Sequence, residues 1–248
     1  MCRHLAYLGP PIPLSGLLFD PPHSLARQSW APRDMRGGGT INADGFGIGW
    51  FPPGSDVPLR YRRDRPLWTD AGLPALAAAV PSGAVLAAVR SATVGMPVLE
   101  TAAAPFAEGP WLFSHNGKVT GWPDSVADLA AALPVRDLLT LDAPTDSALL
   151  WALVRHRLRA GLDPAGALAE VVALVSAAAP GSRLNLLLTD GTTIAATACG
   201  HALSVLASPG SVLVASEPLS PSDAWRPVPD GSLLVATVST VSVKGVAS

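Results

Sequence analysis

Met1-Cys2-Arg3-His4-Leu5-Ala6-Tyr7-Leu8-Gly9 opens the chain. His4–Leu8 reads as a short, largely apolar strand. Outward from it, Gly9–Pro22 reads as a proline-rich loop, and Gly45–Phe51 as a second strand after the Gly37–Gly39 triplet. Val57–Arg63 is placed to pair with that strand. Asp70 is a cap for a short helix through Val80, and Ala84–Arg90 returns as a buried strand that runs out into Ser91-Ala92-Thr93-Val94-Gly95-Met96. Trp111–His115 is a further strand, halting at Asn116-Gly117, a pair tolerant of positive φ.

The middle of the chain changes period. Ser125–Leu133, Thr145–Ala160 and Pro164–Ala179 carry apolar residues every three or four positions, with Thr145 and Asp163 as caps and Gly161 as a stop, so they should stack as a helical layer. Strands then resume at Leu184–Thr189, Thr192–Ala198, Ala202–Leu206, Val212–Ser216 and Leu233–Val243, with DG and PG turns between several of them. Together these last strands are expected to form a second antiparallel sheet. Strands, helices and strands again predict an α+β layered sandwich, two facing sheets with helices outside, in one domain over residues 2–248.

Composition narrows the function. The 248 residues are 49% hydrophobic and only 15% charged, ample for a large core, and the formal charge of −2 leaves no basic excess to track a phosphate backbone. Nucleic acid is therefore not an expected partner. Cys2 and Cys199 are the only cysteines, too few for a disulfide framework, which suits a reducing, cytoplasmic setting. No apolar run reaches the roughly 18 residues of a membrane helix, so no membrane association is expected. His4, His23 and His115 show no metal-ligand spacing, Cys199 on a small-residue strand reads as inert packing, and no metal or cofactor is implied.

Four features carry chemistry. Removal of Met1 would leave Cys2 with a thiol and a free α-amine on one residue. An α-amine titrates near ~7.7–8.0 and can take the thiol proton itself, so one residue supplies nucleophile and base. Phe113-Ser114-His115-Asn116-Gly117 offers an Asn amide beside a Gly N–H at a strand end, donors suited to a developing oxyanion. Arg90, where Ala84–Arg90 leaves the sheet, can grip a carboxylate through two parallel hydrogen bonds or form a strand-end salt bridge. Asp146, in Thr145-Asp146-Ser147, either accepts from an ammonium group or serves the helix dipole.

In this order, an N-terminal Cys, an R-x-A-T-x-G segment (Arg90 to Gly95), an H-N-G triplet and a T-D-S helix start resemble the class II glutamine amidotransferases. The resemblance runs from Cys2 to about Ala160 and includes Asn42-Ala43-Asp44-Gly45-Phe46-Gly47. It implies a four-layer αββα sandwich of the N-terminal-nucleophile hydrolase type. It also implies catalytic roles for Cys2, Asn116 and Gly117, and a glutamyl-binding set of Arg90, Thr93, His115 and Asp146. Ser91 and Val94 stand where many ammonia-donating members carry an aromatic residue and a histidine, so the leaving-group side is expected to differ from theirs.

A narrower resemblance rests on MCRHLAYLG, DPPHSL, NADGFGIGW, VRSATVGMPV, FSHNGKV, TDSALL and VASEPL. These look like the stand-alone γ-glutamyl hydrolases of ergothioneine biosynthesis. It implies a small γ-glutamyl substrate, γ-glutamyl-hercynylcysteine sulfoxide, with water as acceptor. Trp30, Trp50, Trp68 and Trp111 are aromatic faces available to its trimethylammonium, and Ser216-Glu217-Pro218 is either a pocket rim or a structural turn. The other readings of the same residues are a glutaminase subunit passing ammonia to a partner, and a silent γ-glutamyl-binding protein.

Overall fold

In the computed structural model, residues 2–36 and 41–246 are described; the Gly37–Gly39 triplet lies outside them. Alternation along the first strand, β1 (Arg3–Pro13), sets the layering. Leu5 and Tyr7 enter one apolar cluster and Ala6 and Leu8 another, because successive side chains of a strand face opposite sides. β1 lies in a seven-stranded sheet with β2 (Phe46–Trp50), β3 (Leu59–Arg63), β4 (Pro81–Val89), β9 (Ser204–Ser208), β10 (Ser211–Ala215) and β11 (Trp225–Pro227), in the order β11-β9-β10-β1-β4-β2-β3. Facing it is a six-stranded sheet in the order β13-β12-β8-β7-β6-β5, built from β5 (Phe106–Glu108), β6 (Trp111–Lys118), β7 (Arg183–Thr189), β8 (Ile194–Ala198), β12 (Ser232–Ala236) and β13 (Val241–Gly245). All strand pairings are antiparallel.

Three apolar layers glue the stack. Ala6, Leu8, Leu86, Leu112, Leu187 and Val214 meet between the sheets. The short helices α1 (Ser15–Leu18), α2 (Leu25–Gln28) and α3 (Leu73–Ala79) cover the outer face of the larger sheet through Leu17, Leu18, Leu25 and Leu73. On the other outside, α6 (Asp146–Arg159) and α7 (Pro164–Ala178) pack on the smaller sheet, and α4 (Ala127–Ala131) and α5 (Val135–Leu139) complete that side. The result is the expected αββα sandwich.

Several local expectations change. β1 continues through a register shift between Leu8 and Ile12 as far as Pro13, and α1 follows, where the sequence reads as loop. The C-terminal strands do not form one sheet. β9, β10 and β11 join the sheet of β1, while β7, β8, β12 and β13 join β6. Strands such as β7, β8 and β12, buried on both faces, carry no mark of which sheet they enter. Leu233–Val243 divides into β12 and β13, reversed at Thr237, whose N–H donates to the Thr240 carbonyl at 2.9 Å. β6 does not halt at Asn116-Gly117 but pairs with β7 through Lys118, and Gly117 is not among the glycines with positive φ. Its need for glycine is proximity: a Cβ there would lie 1.8 Å from the Arg183 carbonyl oxygen.

The two long helices are capped as their sequences specify. Thr145 accepts from the Ala148 N–H, and Asp163 Oδ1 accepts from the N–H groups of Ala165 and Gly166, both at 3.0 Å. Trp151 of α6 stacks on Phe113 of β6 with ring centroids 5.3 Å apart, which sets the start of α6 over the end of β6. Asp163→Ala should cost about 1 kcal/mol and lower Tm by roughly 2–4 °C in a thermal melt; an unchanged Tm would show that the cap contributes nothing.

Candidate active site

The register of β1 brings the chain start to the site. Arg3 pairs with Val89 of β4, so Cys2 lies beside the strand end from which Arg90 emerges, and Cys2 Sγ is 3.7 Å from the Ser91 carbonyl. Cys2 and Arg90 line one small cavity with Ser114, His115, Phe106 and Ser147. Along the end of β6 two further hollows follow. Asn116 fronts a gap shared with Arg3, His201 and Ser216, while Lys118 and Val119 border a cleft of about 420 Å³ lined by Thr93, Met96, Trp122 and Asp146. The end of β6 is thus the common wall of all three.

Asp44 ties the Arg90 loop to β2. Its N–H donates to the Arg90 carbonyl at 3.0 Å, and its Oδ2 accepts from the Ala92 N–H at 2.8 Å. The Arg90 guanidinium donates only to backbone carbonyls, those of Pro97 at 3.0 Å and Asp44 at 3.4 Å. Among the described residues no carboxylate forms an ion pair with it. Asp146, the first residue of α6, is buried and accepts from the Val119 N–H at 2.9 Å and the Ser147 N–H at 2.7 Å, with no cation in contact. A cation without a carboxylate lines one of these hollows and a carboxylate without a cation lines another.

His115 is held by both ring nitrogens. Nε2 donates to the Arg183 carbonyl at 2.9 Å, which leaves Nδ1 to accept from Ser147 Oγ at 2.9 Å. It reaches the Cys2 cavity as a wall. Asn116 is buried, with Nδ2 donating to Ser216 Oγ at 3.3 Å and Oδ1 without a partner. Ser216 Oγ already accepts from the His4 N–H at 3.0 Å and has a proton to give. Asn116 Nδ2 carries a second hydrogen and so remains a donor beside its contact with Ser216.

Behind these groups lies polar machinery that joins residues far apart in the chain. Glu217 is buried, its Oε1 accepting from Arg3 Nε at 2.7 Å and its Oε2 from His23 Nε2 at 2.6 Å and the Arg33 N–H at 2.9 Å. Burial pushes its carboxyl up, but the His23 and Arg33 hydrogen bonds and the Arg3 charge outweigh that and hold it down at about 2. His4, buried beside Ser114, is pushed down to about 3 by burial and by His115, His201 and Arg3; His201 falls to about 4 through burial and the Arg183 charge. Of the tryptophans considered for a cationic ligand, Trp30 packs under Arg27 at 3.8 Å, and none of Trp30, Trp50, Trp68 or Trp111 lines these three hollows. Trp122 does. The sequence pattern does not mark Trp122, and it marks Ser147 only as a member of the Thr145-Asp146-Ser147 helix start; the packing of α6 on β6 brings Ser147 to His115.

This fold and this ordered site define a class. The sequence profile described as glutamine amidotransferases class-II matches residues 14–210, and the chain belongs to that family. It is 43% identical over 234 residues to the gamma-glutamyl-hercynylcysteine sulfoxide hydrolase of Mycolicibacterium smegmatis, covering 94% of this chain and 95% of the relative. The Mycobacterium tuberculosis protein of the same name is 40% identical over 243 residues, 98% of this chain and 96% of the relative. A glutamine aminotransferase class-II domain protein from Silicibacter pomeroyi, a solved structure, superposes with a TM-score of 0.69 at 27% identity, covering 98% of this chain and 99% of that one.

The buried histidines make stability depend on pH. Their folded values, about 3 for His4 and about 4 for His201, lie below the ordinary 6.5, so the unfolded chain binds protons that the folded one refuses. Their contribution is complete above 6.5 and is lost as pH falls toward 3, with Glu217 adding loss in the same direction from 4.5 down to about 2. Urea midpoints should therefore fall between pH 6.5 and 4, and less steeply for His4→Asn; parallel slopes for the two proteins would exclude His4 as a source.

Proposed function

We propose that the protein hydrolyses the γ-glutamyl amide of γ-glutamyl-hercynylcysteine sulfoxide, releasing glutamate and hercynylcysteine sulfoxide in ergothioneine biosynthesis. The observation that carries this reading is the 40–43% identity to hydrolases so named, over nearly the whole of both chains. A cytoplasmic setting accords with it.

In this reading Met1 is removed and Cys2 is the nucleophile. Its thiol proton passes to its own α-amine, directly or through one water, and the sulfur attacks the γ-carbonyl. Arg90 grips the glutamyl α-carboxylate and Asp146 the α-ammonium, with Thr93 on the same cleft and His115 as a wall of the nucleophile's cavity. The cleft of about 420 Å³ lined by Thr93 and Asp146 has room for the glutamyl body, whereas the cavity that Cys2 and Arg90 line holds about 20 Å³. Asn116 Nδ2 and the Gly117 N–H stabilise the tetrahedral oxyanion. Collapse expels the amine, which takes a proton from the Cys2 α-ammonium, and water then cleaves the thioester to release glutamate.

Mass spectrometry of the active protein should show Cys2 as the first residue; activity with Met1 retained would refute the mechanism, because the base would be an amide. Glutamate release from the γ-glutamyl sulfoxide should exceed that from glutamine, and glutamine hydrolysis requiring a second protein would point to an ammonia-supplying subunit instead. Cys2→Ala should lose about 10⁴-fold or more in kcat. Arg90→Ala should lose roughly 10–100-fold in kcat/KM, mainly through KM, the equivalent of about 1.5–3 kcal/mol for a charged hydrogen bond; an unchanged KM would remove Arg90 from the glutamyl site.

A further inference from the structure

Cys2 stands just outside β1, and the side chain that follows it reaches back to hold it. Arg3 Nη1 donates to the Cys2 carbonyl at 2.9 Å, Nε donates to Glu217 Oε1 at 2.7 Å, and Nη2 donates to the Asp34 carbonyl. Arg3 is 2% exposed and Glu217 3%, so neither partner is a surface charge. Glu217 in turn gathers His23, the Arg33 N–H and the Asp34 N–H, the last at 3.2 Å. One carboxylate thereby locks three separate segments around the residue that precedes β1. Its own position is fixed by the strand ladder, since the Ser216 N–H donates to the His4 carbonyl at 2.9 Å.

A buried ion pair of this kind adds little net stability compared with apolar packing, because desolvation offsets the attraction. What it does supply is fixed geometry. The planar fork of an arginine ties the carbonyl of Cys2 to a carboxylate that cannot move. We propose that Glu217 is a positioning residue for Cys2, acting through Arg3 to hold the backbone that carries the thiol and the α-amine. Neither residue touches the glutamyl-binding groups Arg90 and Asp146, so the effect belongs to the nucleophile and not to substrate capture.

This rests on the assignment of Cys2 as nucleophile, and the test separates the two. Glu217→Gln, Arg3→Lys and the double variant are compared for kcat and KM of glutamate release, for the rate of Cys2 alkylation by iodoacetamide across pH 6–9, and for Tm. A misplacement of about 1 Å can cost roughly 10²-fold in rate, so each single variant should lose about 10–100-fold in kcat with KM within about twofold. The pH–alkylation profile should shift in each, and the double variant should be no worse than the more impaired single. Arg3→Lys keeps the buried charges paired, and hence the fold, while giving up the fork, so a purely structural pair predicts wild-type kcat for it. That result would overturn the proposal, as would additive losses in the double variant or an unchanged alkylation profile in Glu217→Gln. Alkylation needs no substrate: if wild-type protein released no glutamate while the profile still depended on Glu217, the hydrolase reading would fall and the positioning role would stand.

Discussion

The antiparallel register of β1 against β4 is the constraint on which the site depends. Arg3 opposite Val89 and His4 opposite Ala88 leave Cys2 beside the point where Arg90 leaves the sheet. Because strand side chains alternate, a slip of one residue would turn His4, Ala6 and Leu8 away from the facing sheet and carry Cys2 with them. Such a slip would also expose Leu5 to the wrong layer. Burial of the apolar alternation therefore enforces the placement of Cys2 at no separate cost.

The second sheet contributes through the far end of β6. Leu112 and Ser114 face inward while Phe113 and His115 face the helices, so one strand serves both the cavity at Cys2 and the start of α6. Stacking of Trp151 on Phe113 brings Asp146 and Ser147 over that end. Gly117 lets β6 run close beside the Arg183 carbonyl, an approach that any side chain would block. Packing and chemistry are coupled here, since the contacts that bury α6 also aim its first carboxylate.

Charge is distributed in two different ways around these elements. Arg3, Glu217 and His23 satisfy one another in the interior and freeze a backbone, whereas Arg90 and Asp146 meet only neutral partners. Asp146 is buried and Arg90 partly so, and a charge with only dipoles for company retains capacity for a charged ligand. The first arrangement pairs its charges, and the second leaves them to backbone dipoles.

The sequence by itself determined the layered architecture, the helix caps at Thr145 and Asp163, and the ordered motif from Cys2 through Arg90 and His115-Asn116-Gly117 to Asp146, because periodicity, cap chemistry and local residue types are written in short stretches. It could not show that β9 to β11 join β1 while β7, β8, β12 and β13 join β6, since a short strand's partner is set by residues far away in the chain. Nor could it show why Gly117 is glycine: the pair reads as a turn, and the neighbour that forbids a side chain is more than 60 residues away, at Arg183. Ser147 on His115, Ser216 on Asn116 and Glu217 on Arg3 likewise join residues distant in the chain. Only the tertiary structure decides such pairings, because they depend on which strand ends come to rest against each other.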